Sequence, residues 1–129
     1  MGGFMVSKSK IEAVIKLYFD ASYEGNGEKM AQVFHREAHI YGRSQDGALV
    51  DTLKDAFVQR VGAPRPADRP VFPRHEEIIS IDFTGEHTAV ARVKLRVGNT
   101  LYTDVLSFME LEGRWAVIAK VLSGVPFEH

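Results

Sequence analysis

The residues best able to do chemistry in this chain are an aspartate and a lysine in its C-terminal third, Asp104 and Lys120. Each stands in an apolar run, with Tyr102, Leu106 and Phe108 around the first and Ile118 and Leu122 around the second. A carboxylate aimed into such a run needs a partner, because burying a lone charge costs far more than a hydrogen bond returns. An ammonium across from it supplies one. Such a pair can orient a polar group of a ligand, or the aspartate can act as a general base. A structural ion pair is the opposing reading. A neighbouring ammonium lowers a carboxylate's pKa, whereas a working base wants a pKa near the operating pH, and burial pushes the other way.

His35 is the second candidate for proton transfer, since imidazole titrates near neutral pH. His35 and His39 are four apart, which is metal-ligand spacing on a helix. The helix that would carry them is expected to end near His35, and no third ligand stands with them, so no metal site is assigned. Tyr18 and Tyr102 offer hydroxyls to a pocket, and Phe34 offers an apolar wall. Core packing is the competing reading for each of these rings. The chain has no cysteine, which removes disulfides, thiol nucleophiles and thiolate metal sites. Neither a phosphate-cradling glycine loop nor a nucleophile elbow is present, and no cofactor is expected.

The elements that must position these residues change character once along the chain. Helical spacing covers about 9–24, 27–35 and 49–61, with Ile11, Val14, Ile15, Tyr18 and Phe19 forming the first apolar stripe. Residues 1–8 are expected to be a flexible N-terminus. Residues 39–42 read as a short strand and 44–47 as a turn. Residues 62–73 hold four of the five prolines, so this segment is an extended loop. Four strands follow at about 75–83, 88–97, 100–111 and 114–122, joined by short turns. Helices followed by a strand meander indicate an α+β domain with a strongly curved antiparallel sheet. At 129 residues it is expected to be a single domain over 1–129.

Turn chemistry sets register. Gly98-Asn99 suits a two-residue primed turn, which places Val93 beside Asp104 and turns Asp104 toward the apolar face. For the last hairpin, a type I turn closed by a left-handed Gly113 spares Glu112 a positive φ. That register sets Asp104 directly across from Lys120 and sends Trp115, Val117, Ala119 and Val121 to the other face. Both faces are then apolar, and a homodimer packed sheet to sheet is the expected cover.

The segment Phe34-His35-Arg36-Glu37-Ala38-His39, then Gly42, Asp46-Gly47 and the third helix, resembles the "putative lumazine-binding" subfamily of the nuclear-transport-factor-2-like superfamily. The run from Asp104 through Gly113-Arg114-Trp115 to Val121 resembles its C-terminal hairpin. That resemblance implies a cone, in which a curved sheet and three helices close a pocket, commonly in a dimer. Where the family pattern has proline after the histidine, this chain has Arg36. The superfamily contains isomerases, dehydratases, cyclases and binding modules, and fold does not choose among them.

The expected function is a pocket for a mostly apolar cyclic ligand, lumazine-like compounds included. Its polar anchors come from Tyr18, His35, Tyr102, Asp104 and Lys120. The runner-up is a cofactor-independent isomerase, dehydratase or cyclase using Asp104 or His35. A dimerisation module with a self-filled pocket is the third reading. With a formal charge of −1 there is no single-sign field for nucleic acid or an anionic membrane. A cytoplasmic location is the default expectation.

Overall fold

Alternating apolar residues make most of the second half strand, and one sheet collects all of it. The computed structural model describes residues 2–128. Their order is α1 (Gly2–Glu24), α2 (Gly27–Val33), β1 (Phe34–Arg43), β2 (Leu49–Leu53), α3 (Lys54–Val61), β3 (Glu76–Gly85), β4 (Thr88–Val97), β5 (Thr100–Leu111) and β6 (Arg114–Pro126). The sheet has six strands in the order β2-β1-β6-β5-β4-β3. The three helices cover its inner face. Ile11, Ile15 and Tyr18 of α1, Met30 and Val33 of α2 and Phe57 of α3 pack with Val93, Leu106, Phe108 and Val117 of the strands. Burying a side chain of this size stabilises the fold by about 1.5–3 kcal/mol. Among the described residues no helix is long and apolar enough to cross a membrane.

The α+β class stands as expected, with four differences of detail. First, the sheet is not wholly antiparallel, because β1 runs parallel to β6. Second, α1 starts at Gly2 and not near Ser9. The Phe4 ring meets Phe83 edge-on at 5.2 Å, and such packing outweighs the poor helix propensity of Gly2 and Gly3. Third, α2 ends at Val33, and Phe34 is already extended at φ −102°, ψ 142°. The expected short strand is therefore ten residues long. Fourth, Leu49 to Leu53 is strand, pairing with β1, and α3 begins only at Lys54. Leu49 and Leu53 are four apart and imitate a helical stripe, yet both are exposed.

The Gly98-Asn99 turn sets β4 against β5 in the expected register, with Val93 opposite Asp104. The last hairpin differs. Glu112 (φ 55°) and Gly113 (φ 76°) are both left-handed, as in a two-residue type I′ turn. Leu111 then pairs with Arg114, and an extra residue at Ile118 shifts the register between Ser107 and Phe108. Trp115 and Val117 consequently face the core and are buried, contrary to the outward placement expected for them. A left-handed non-glycine residue costs about 1–2 kcal/mol. Burying both Trp115 and Val117 returns about 1.5–3 kcal/mol for each, so packing wins.

Glu112→Asn keeps the turn and relieves it, because Asn-Gly is the preferred type I′ pair. It is expected to raise stability by about 0.5–1 kcal/mol, read as a higher urea midpoint at unchanged slope. A midpoint equal to or below that of the parent would show that the left-handed glutamate is not strained.

Candidate functional site

Three polar side chains meet beneath the helices. Tyr18 comes from the buried stripe of α1, Asp104 from the middle of β5 and Lys120 from β6. Asp104 pairs with Leu122 and Lys120 with Leu106, so the two are diagonal neighbours on one face and not directly opposed. Lys120 Nζ lies 3.8 Å from Asp104 Oδ2. The Tyr18 hydroxyl donates to the same oxygen at 2.5 Å. Asp104 Oδ1 has no hydrogen-bond partner. The Lys120 ammonium also lies over two rings, 4.9 Å from the centre of Tyr18 and 4.5 Å from that of Phe57. Cation–π contacts of this kind contribute about 0.5–2 kcal/mol.

Relative exposure is 1% for Tyr18, 1% for Asp104 and 5% for Lys120, and this sets the electrostatics. Burial pushes the Asp104 carboxyl above the usual carboxylate range, and the Lys120 charge and the Tyr18 hydrogen bond pull it back only in part. Burial pulls Lys120 below the usual lysine value against the opposing pull of Asp104. Burial, reinforced by the Asp104 charge and hydrogen bond, holds the Tyr18 hydroxyl well above its usual value. At 3.8 Å the lysine makes no hydrogen bond to the carboxylate, so its ammonium is poorly compensated. Burial thus drives both members of the ion pair toward their neutral forms.

Above this trio lies a cavity of about 520 Å³. Ile40, Phe57, Leu95 and Leu122 wall it, and Tyr102 and Lys120 also belong to its lining. Tyr18 touches it, and Asp104 stands behind Tyr18 and Lys120 without lining it. The volume is that of a small-ligand pocket. One wall comes from the start of the Pro-rich segment, Ala63 to Pro66. Arg65 fastens that wall by donating to the carbonyls of Ser22 (3.1 Å) and Tyr23 (3.0 Å) in the last turn of α1. Gly25, left-handed at φ 66°, makes this possible, since a Cβ there would stand 2.6 Å from the Arg65 guanidinium.

Of the residues expected at the site, Tyr18, Tyr102, Asp104 and Lys120 do come together. Phe34 is buried against the rings of Tyr18 and Phe57 and supports the floor without lining the cavity. His35 is the correction. It lines a separate cavity with Arg36, Glu37, Lys54 and Glu112, and its Nδ1 accepts from the Glu37 N–H at 3.1 Å. Strand alternation sends Phe34 inward and therefore His35 outward, where a helix ending at His35 was expected. His39 is likewise on β1, bonded through Nδ1 to Asp51 at 2.7 Å. Arg43, Arg60 and Arg65 line the cavity unforeseen. They lie at element ends or in the proline segment, where no periodicity reports direction.

Residues 6–123 match the family model described as "Putative lumazine-binding". An aldolase, FrzH of Cladobotryum sp., is 24% identical over 129 residues, covering 94% of this chain and 96% of that one. Two solved structures share the fold, both nuclear-transport-factor-2-like proteins of unknown function. That from Shewanella baltica OS155 superposes with TM-score 0.82 at 21% identity, covering 95% of this chain and 97% of its own. That from Methylobacillus flagellatus KT gives 0.76 at 28% identity, covering 92% of each chain. The superposition covers nearly the whole of this chain, and the segment matched by the family model spans all but the two ends. This chain therefore belongs to the "Putative lumazine-binding" family and has the fold of nuclear-transport-factor-2-like proteins.

Proposed function

We propose that the cavity binds a small, mostly apolar cyclic molecule, with Lys120 and Tyr102 as its inner polar anchors. The observation that carries this reading is a pocket of about 520 Å³ with apolar walls that ends on a desolvated lysine. An open space of that size does not support a pocket filled by the chain's own side chains. A lumazine-like heterocycle is one candidate, in keeping with the family's description.

A homodimer through the outer sheet face belongs to the same proposal. Val121 and Val125 are more than half exposed there, at 52% and 55%, although Trp115 and Val117 no longer contribute to that face.

The opposed pKa shifts of Asp104 and Lys120 favour a second reading, in which the pocket also catalyses a cofactor-independent proton transfer next to a carbonyl. Lys120 faces the ligand and exchanges the proton, Asp104 relays it, and the Tyr102 hydroxyl steadies the developing oxyanion. His35 has no part in it. A relative 24% identical to this chain is described as an aldolase, which is in keeping with an enzymatic reading.

Native mass spectrometry with added lumazine or 2-naphthol tests both parts. The wild type should be a dimer that takes up one ligand per chain, and Leu122→Trp, which fills the cavity, should take up none. Failure of the wild type to bind either compound overturns the pocket, and a monomer overturns the sheet-to-sheet contact.

A further inference from the structure

We propose that the ligand of this cavity carries an acidic group, held at the cavity mouth by Arg43, Arg60 and Arg65 while its ring system sits against the apolar walls. The inference rests on the binding reading above and adds the chemical class of the ligand.

The charge on the lining is one-sided. Arg43, Arg60, Arg65 and Lys120 line the cavity, and among the described residues no aspartate or glutamate does. The chain as a whole has 17 acidic and 16 basic side chains, so composition does not produce this bias. The four cations are also sorted by depth. Lys120 is buried at the floor, Arg65 is half-buried, and Arg43 and Arg60 are exposed at the outer end.

The three arginines come from three separate elements: the end of β1, α3, and the Pro-rich segment. None of them has a carboxylate partner within ion-pair distance among the described residues. Arg43 makes one long bond to the Ser44 carbonyl at 3.4 Å, and the Arg60 guanidinium makes none. Arg65 spends two donors on the carbonyls of Ser22 and Tyr23, and a guanidinium carries five. It is therefore a fixed cation with donors to spare. Burial and the nearby Arg69 both press against its charge. An arriving anion relieves that pressure, and guanidinium forks match carboxylate and phosphate oxygens two at a time. A neutral apolar ligand would leave three guanidinium groups facing its rim with nothing to bind.

Three probes with one ring system separate the possibilities: 2-naphthol, 2-naphthoate and 2-naphthyl phosphate, titrated by calorimetry. In the wild type the two acids should bind about tenfold or more tighter than 2-naphthol, the gain typical of hydrogen bonds to a charged group. Added salt should shrink that advantage. Arg43→Gln with Arg60→Gln should remove most of the acids' advantage over 2-naphthol and leave only the part that Arg65 supplies. Both arginines are exposed, so the double variant should fold. Preference for the carboxylate or for the phosphate identifies the acid. Equal affinity for all three probes in the wild type overturns the anion site and leaves the cavity reading intact, as does an acid advantage undiminished in the double variant. Failure of all three to bind overturns both.

Discussion

Asp104→Ala is expected to destabilise the fold by about 3–5 kcal/mol at neutral pH, the usual consequence of removing one partner from a buried ion pair. The loss has two sources. Lys120, at 5% exposure, is left with aromatic rings alone to compensate its charge. The Tyr18 hydroxyl loses the acceptor it holds at 2.5 Å. Lys120 has one escape, which is to give up its proton, and its already lowered pKa makes that easier.

The sign with pH follows from that shift. A lysine depressed in the folded state contributes stability above its unfolded value of 10.5 and loses it as pH falls through the folded value. Deleting Asp104 lowers the folded value further, so the damage should shrink on the alkaline side. The double variant Asp104→Asn, Lys120→Met should behave differently. It removes both charges, keeps an acceptor for Tyr18, and is expected to fall within about 1.5 kcal/mol of the parent. Urea unfolding of the parent, Asp104→Asn, Lys120→Met and the double variant completes the cycle, with Asp104→Ala measured beside it. An Asp104→Ala loss below about 1 kcal/mol would mean that the pair is hydrated and not buried as described. The folded double variant then serves function: ligand affinity unchanged in it removes the trio from the site.

That pairing was legible in the sequence for a reason that survived an error in register. Gly98-Asn99 is local chemistry, and it placed Asp104 beside Val93 without help from the rest of the fold. The neighbouring hairpin was decided elsewhere. Sparing Glu112 a positive φ is a sound local preference, but Trp115 and Val117 were competing for the core, and their burial is a property of the whole packing. The turn became tighter and the lost residue reappeared as a bulge at Ile118. The two changes leave Asp104 and Lys120 on the same face, so they still meet, now along a diagonal. His35 had no such protection. The end of α2 at Val33, two residues before the expected His35, put His35 on a strand and turned its ring away from the cavity. The arginine mouth was out of reach of periodicity altogether, because Arg65 is placed by the path of a proline-rich loop and by its grip on Ser22 and Tyr23.

Tyr18→Phe is the substitution that separates a structural pair from a proton-transfer site. It removes the one short hydrogen bond to Asp104 and leaves the ring packing intact. At neutral pH the loss should be about 2–3 kcal/mol, the scale for a buried charged acceptor left unmet. The loss should also depend on pH. Asp104 is raised above its unfolded value of 3.8, so its contribution to stability is fully present below 3.8 and is lost as pH rises through the folded value. The tyrosine bond holds that folded value down, and phenylalanine lets it climb. The two proteins should therefore differ little where Asp104 is protonated in both, and the gap should open as pH rises through the wild-type folded value. On the alkaline side Tyr18 reverses the trend. Its raised pKa contributes stability that is fully present below 10.0 and lost as pH rises through its folded value, and phenylalanine has no such loss, so the curves should converge again. Stability of the two proteins across the pH range measures the whole profile. A gap of constant size throughout the acid range would show that the hydroxyl does not serve an ionised Asp104. Where the gap opens then decides the chemistry. An onset near neutral pH gives Asp104 the pKa a general acid–base group needs, and an onset just above 3.8 leaves it a permanently charged strut beneath a binding pocket.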